Sequence, residues 1–303
     1  MALSYKLLPI ISLLSVLFLG SGCQKEVDSN LPPGSVPDSA RGFAKTPAKT
    51  TLSGTEITEA SGIADSKANP GFLWVEQDSG NPSDLILLGH DGTIGKTIPV
   101  SGAQNRDWED MVLSAGPESG KDYLYIGDIG DNNSEYTSYD IYRMVEPQQA
   151  ASTVASFDKL SFLYPDFSHD AEAFLVDASS LDIFIITKSD DSSKIYRLAY
   201  PQVTSGNNMA EFIAALPYNA VVSAAQSPDN KDIIIKTYTK LYYYKRDEGM
   251  SIPDALKGEA KELDYEIEAQ GEAISFAVDN SGFYTLPEQA LGVKPALSFY
   301  QRN

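Results

Sequence analysis

The stretch "VVSAAQSPDNKDIIIKTYTKLYYYKR", residues 221–246, decides how this chain folds. It sets three short runs between turn residues: small and apolar at 221–225, isoleucine-rich at 233–235 and tyrosine-rich at 242–244. β-Branched and aromatic residues bounded by Pro, Asp, Asn and Gly read as strands joined by tight turns. Fifty residues further on, "GEAISFAVDNSGFY" (271–284) repeats the order, with Asp279-Asn280 answering Asp229-Asn230. A constant period of this length is the mark of a repeat architecture.

Working outward, three more units share the register. "TEASGIA" carries Glu59, "DWEDMVL" carries Glu109 and "DAEAFLV" carries Glu172, as "QGEAISF" carries Glu272. In the 221–246 unit Val222 stands in the glutamate place. The unit containing Glu109 is long because of the polar, alanine-rich loop "EPQQAASTVASFDK" (146–159). Second strands follow as "FLWVEQD", "YLYIGD", "IFIITK", "DIIIKTY" and "GFYTLPE", ending on Asp78, Asp128, Lys188, Tyr238 and Glu288. Third strands read "DLILLG", "YDIYRMV", "KIYRLAY", "KLYYYKR" and "ALSFYQR". Fourth strands are "GKTIPV", "KLSFLY", "MAEFIAAL" and "KELDYEI".

The last unit stops at Asn303 without a fourth strand, while "AKTTLSG" (48–54) is a strand to spare. A β-propeller closes its ring that way, the N-terminus supplying the outer strand of the last blade. The expectation is an all-β, five-bladed propeller over residues 49–303. A six-bladed ring is the alternative, its extra unit hidden in the long second repeat.

Ahead of the repeats, residues 1–22 hold Lys6 and the apolar run "LLPIISLLSVLFLG" (7–20). That run is shorter than the ~20 residues needed to span a bilayer and reads as a secretory signal. "LGSGCQ" resembles the lipobox of bacterial lipoproteins, although Gly20 sits where Leu is commonest. Cys23 is the one cysteine of the chain and is expected to carry lipid. Residues 23–48 then form a flexible tether, rich in Pro, Ser, Lys and Asp. The expected location is the outer membrane, facing the periplasm or the cell surface. Membrane contact comes through the lipid alone, and the protein acts as a monomer.

Forty-two Asp and Glu against 23 Lys and Arg leave a formal charge of −19. Without a basic face, nucleic-acid binding is excluded. No phosphate-cradling glycine loop appears, so no nucleotide cofactor is expected.

First strands line the channel of a propeller, so residues at their starts converge on one funnel. Glu59, Glu109, Glu172 and Glu272 are the candidate metal ligands there. Asp107 and Asp170 lie beside them, and Asp78, Asp128, Lys188 and Glu288 lie at the ends of second strands. Asp131 and Asn132 add oxygen donors on a loop. Period-two alternation puts Asp107 and Glu109 on one side of the strand, Trp108 and Asp110 on the other. An oxygen-rich funnel suits Ca²⁺ or another hard divalent cation, which takes 6–8 oxygen ligands. Equally open is a turn-capping role for these carboxylates, repeated because the blade is repeated. Glu109, Glu172 and His169 are the candidate acid–base groups; His90 reads as a solvent-facing turn residue.

On "EASGIA", "QDSGN", "NRDWEDM", "YIGDIGDN", "IYRMVEP", "YPDFSHDAEAFLVD", "SPDN" and "GEAISF…YTLPE", the chain resembles a family of secreted or lipid-anchored bacterial propellers of unassigned function. It is more distantly similar to esterase-like phytase and gluconolactonase-like propellers. That similarity implies a divalent ion among the funnel acids. Val222 and Gln226, where acids are often found, would leave such a site open on the fourth-blade side. Two functions follow: a module binding a small molecule, glycan or protein at its funnel, or a metal-dependent hydrolase of phosphoesters or lactones.

Overall fold

The computed structural model describes residues 42–188, 191–290 and 292–303. The signal segment, Cys23 and most of the tether lie outside the described residues.

A short strand, β1 (Ala48–Thr51), precedes the first blade. That blade comprises β2 (Ala60–Asp65), β3 (Phe72–Gln77), β4 (Asp84–Gly89) and β5 (Ile94–Pro99). The second comprises β6 (Trp108–Ala115), β7 (Asp122–Asp128), β8 (Tyr139–Val145) and β9 (Asp158–Leu163). The third comprises β10 (Ala171–Val176), β11 (Ile183–Thr187), β12 (Lys194–Leu198) and β14 (Glu211–Ala215). Between the last two, β13 (Asn208–Met209) crosses over to pair with β9. The fourth comprises β15 (Val221–Gln226), β16 (Asp232–Thr237), β17 (Leu241–Lys245) and β18 (Lys261–Leu263), with the helix α1 (Ile252–Leu256) before β18. The fifth comprises β19 (Gly271–Phe276), β20 (Gly282–Pro287) and β21 (Ala296–Gln301).

Apart from β13, which adds in parallel to β9, these strands make five separate antiparallel blades, and the inner strands β2, β6, β10, β15 and β19 pack side by side around one axis. The protein is a five-bladed β-propeller, and no sixth unit hides in the long second repeat. Its 146–159 loop instead seals the junction of blades one and two. There Val154 bridges Val100, and the buried Glu146 accepts from the Ser66 hydroxyl and the Trp74 indole.

The ring closes as expected. β1 pairs antiparallel with β21, Ala48 opposite Phe299 and Thr51 opposite Ala296. Phe43 joins the same blade, bridging Arg302 and packing edge-on against Phe283, so residues 42–48 belong to the folded ring.

Alternation explains the core. Along a strand, successive side chains face opposite sides, and a blade is covered on both. Ile183 and Ile185 of β11 therefore enter the cluster between blades two and three, while Phe184 and Ile186 enter the cluster between three and four. Three further clusters fill the remaining junctions. Burial on both faces is why these strands read as continuous apolar runs.

Candidate functional site

Each inner strand begins with an irregularity. In β6, Trp108 pairs with Asp128 and Asp110 with Gly127, so Glu109 is an extra residue with no partner across the ladder. The same bulge falls at Ser61, Glu172, Val222 and Glu272. A β-bulge leaves its extra residue unpaired and re-aims the side chain. Five bulges at one level thus turn five side chains toward the same end of the axis.

This register corrects the alignment of the first blade. The residue equivalent to Glu109 is Ser61, and Glu59 falls instead with Asp107, Asp170 and Gln270. The backbone carbonyls of all four accept from the residue that follows the second strand: Asp78, Ile129, Lys188 and Glu288. Asp128 is correspondingly one place early; it belongs with Gln77, not with Asp78. Both side chains act as caps, Gln77 accepting from the Thr58 and Glu59 amides and Asp128 from the Asp107 amide at 2.8 Å. Glu59 is exposed and bound by the Asn81 amide at 2.7 Å, and belongs to neither three-carboxylate group.

What the bulges bring together is an acidic mouth built from two groups. One oxygen each of Asp78, Asp107 and Glu109 lie within 4.8 Å of one another, as do oxygens of Glu109, Asp170 and Glu172. Glu109 belongs to both. It is 4% exposed and its carboxylate makes no hydrogen bond or ion pair among the described residues. Burial pushes its pKa well above the carboxylate range, and Asp78 and Asp107 push it further. Asp107 is raised to about 6, chiefly by burial and then by Asp78.

Lys188, following β11, pairs with Glu172 Oε1, while Glu172 Oε2 is buried without a hydrogen-bond partner among the described residues. Glu272 lies further round the ring, accepting from the Tyr238 hydroxyl at 2.8 Å. Beside it Glu288 is raised to about 8 by burial and by Glu272. Asp131 is occupied in a turn, accepting from the Glu135 and Tyr136 amides and the Tyr139 hydroxyl. Asn132 is exposed on that turn. His169 faces the aromatic side of blade three, its Nε2 3.0 Å from Asp166 and 2.7 Å from the Tyr196 hydroxyl. His90 is half-buried against Tyr284 and paired with Asp65 at 2.7 Å, because the turn folds back onto blade five.

Two acids below the mouth were not singled out by sequence. Asp110 is wholly buried on the axis and accepts from the Met111, Phe174 and Ala224 amides and the Ser223 hydroxyl. The bulge explains this: the extra residue breaks the alternation that would have sent Asp110 to the side of Trp108. Glu76 on β3 is wholly buried, with neither oxygen hydrogen-bonded among the described residues. It fits because Gly62 lies opposite; a Cβ there would collide with Glu76 Oε1. Burial and the neighbouring Asp110 hold its pKa well above normal. At the same register in blade four, Lys236 donates to the Tyr265 hydroxyl at 2.5 Å, and burial lowers its pKa to about 8. A charge next to the apolar runs "FLWV" and "III" was the available signal.

Ring, bulges and mouth together define a five-bladed propeller with an acidic opening at one end of its axis. No family model matches the chain, and no curated protein sequence matches it. Among solved structures, one similar chain comes from the crystal structure of a nidogen/laminin complex. It is 12% identical, with a TM-score of 0.45, over 82% of this chain and 84% of that one.

Proposed function

We propose that this protein is a binding module whose acidic mouth holds a divalent cation, with Asp78, Asp107 and Glu109 as its first ligands. The observation that carries the reading is Glu109: a buried carboxylate with no hydrogen bond or ion pair among the described residues, shared by two groups of three acids. Packed carboxylates repel one another and are costly to ionise unless a cation compensates. The donors are all oxygen, the choice of Ca²⁺, Mg²⁺ or Mn²⁺ rather than of softer metals. The cation would order the mouth for a small molecule, glycan or protein ligand.

Thermal melting with excess Ca²⁺, Mg²⁺ or Mn²⁺ against chelator tests this. A ligand of the native state alone raises the melting temperature by mass action; no shift with any of the three removes the reading.

A hydrolase is the second reading, favoured by Glu288, which burial and the neighbouring Glu272 push up to about 8 beside the mouth. A group poised near neutrality suits general acid–base work on a phosphoester or lactone. Turnover of such substrates, lost in Glu109→Gln and in Glu288→Gln, would select it over binding alone.

The placement belongs to the same proposal. Cys23 would carry lipid and hold the propeller at the outer membrane. Radiolabelled palmitate should enter the expressed protein and fail to enter Cys23→Ser.

A further inference from the structure

We infer that the acidic mouth takes one divalent cation and not two, because the Lys188 ammonium occupies the place of the second. The inference rests on the cation reading above.

Two three-carboxylate groups joined through one glutamate form the pattern in which a carboxylate bridges a pair of metal ions. Here the two halves differ in what already neutralises them. The Asp78–Asp107–Glu109 half has no Lys or Arg paired to it among the described residues. Arg106, next to Asp107 in the chain, instead donates to the Ser138 carbonyl at 3.0 Å and lies 3.9 Å from the centre of the Tyr136 ring. The Glu109–Asp170–Glu172 half receives Lys188, whose Nζ sits on Glu172 Oε1. An ammonium is a compact point charge on a flexible stem, so it can fill a cation position.

The lysine is held there by its surroundings. Its amide is fixed to the Asp170 carbonyl at 2.9 Å, and its Nζ lies 5.5 Å from the Tyr238 ring. The Tyr238 hydroxyl is in turn tied to Glu272. A divalent ion entering this half would meet an ammonium already paired with one of its ligands, whereas in the other half the lysine acts only on the shared Glu109. Glu109 then serves one metal ion and faces a tethered positive charge across its carboxylate.

Removing that charge should open the second place. The full chain, with Lys188→Met and Lys188→Gln as alternatives in case either misfolds and Lys188→Arg as the charge-retaining control, is titrated with Ca²⁺ by calorimetry. Bound Mn²⁺ is read in parallel by electron paramagnetic resonance. One ion per chain is expected in the native protein and in Lys188→Arg, and two in Lys188→Met or Lys188→Gln. The two Mn²⁺ ions should show the exchange broadening of a carboxylate-bridged pair. Two ions in the native protein, or one ion in the neutral variants, would overturn the inference while leaving the cation site standing. No ion in any of the four removes the site itself, and the inference with it.

Discussion

Asp110 of β6 accepts a hydrogen bond from Ser223 of β15 at 2.9 Å, joining blades two and four, which are not neighbours in the ring. The same carboxylate takes the Phe174 amide of the blade between them. One side chain on the axis therefore ties three inner strands together, directly beneath the acidic mouth.

Replacing Asp110 should be costly for that reason. Asp110→Ala leaves three amides and a hydroxyl without this acceptor at a buried site, and orphaned buried groups cost about 1–3 kcal/mol each before relaxation. A loss of at least ~3 kcal/mol is expected in urea unfolding, with Asp110→Asn intermediate because its amide oxygen still accepts. Equal stability of Asp110→Ala and the native chain would show that the bonds do not hold the ring.

The bulge register separates two glutamates that the sequence repeat treats alike. Glu109→Gln should weaken Ca²⁺ binding by at least about tenfold, equivalent to ~1.4 kcal/mol. Glu59→Gln, two residues from its own bulge and bonded to Asn81, should leave binding unchanged. Calorimetric titration of both variants checks the contrast, and equal losses would restore the simpler alignment.

Gly130 offers a test that removes no acid. A Cβ at this position would collide with Glu109 Oε1 and press Asp107 Oδ2 at 2.5 Å. Gly130→Ala should therefore displace both carboxylates and lower cation affinity, with every charge retained.

The dependence on pH has a definite sign. Glu288, ordinarily near 4.5, is raised to about 8 in the fold, and Asp128 from 3.8 to about 6. Between those values the folded chain binds more protons than the unfolded one, so stability falls as pH rises. In chelator, the melting temperature should drop from pH 4.5 toward pH 8, and Glu288→Gln should flatten the upper part of that slope. A melting temperature that climbs over this range would contradict the raised values.

Ring closure is also open to measurement. A chain lacking residues 42–51 would leave β21 as an unpaired edge, and such edges recruit other chains. Lower melting temperature and concentration-dependent association in light scattering are the expected outcome. A truncated chain that stays monomeric and equally stable would show that β1 is dispensable.

The repeat, the five-blade count and the closing strand were legible in the sequence, because alternation, turn residues and a spacing near fifty residues are local properties that recur. The clustering of Asp107, Glu109, Asp170 and Glu172 was legible too, since inner strands of a propeller must converge. The bulges were not. An inserted residue leaves no compositional trace, yet it shifts every later side chain by one place. Only the paired strands show that Ser61 stands where Glu59 was expected, and that Asp128 caps a backbone amide. Glu76 and Lys236 could be seen as charges at the ends of apolar runs, but their burial depended on Gly62 in one case and Tyr265 in the other. Sequence alone therefore determined the architecture and the end of the axis where the acids gather. The tertiary structure decided which of them meet, because packing across the ring, and not spacing along the chain, sets the distance between charges.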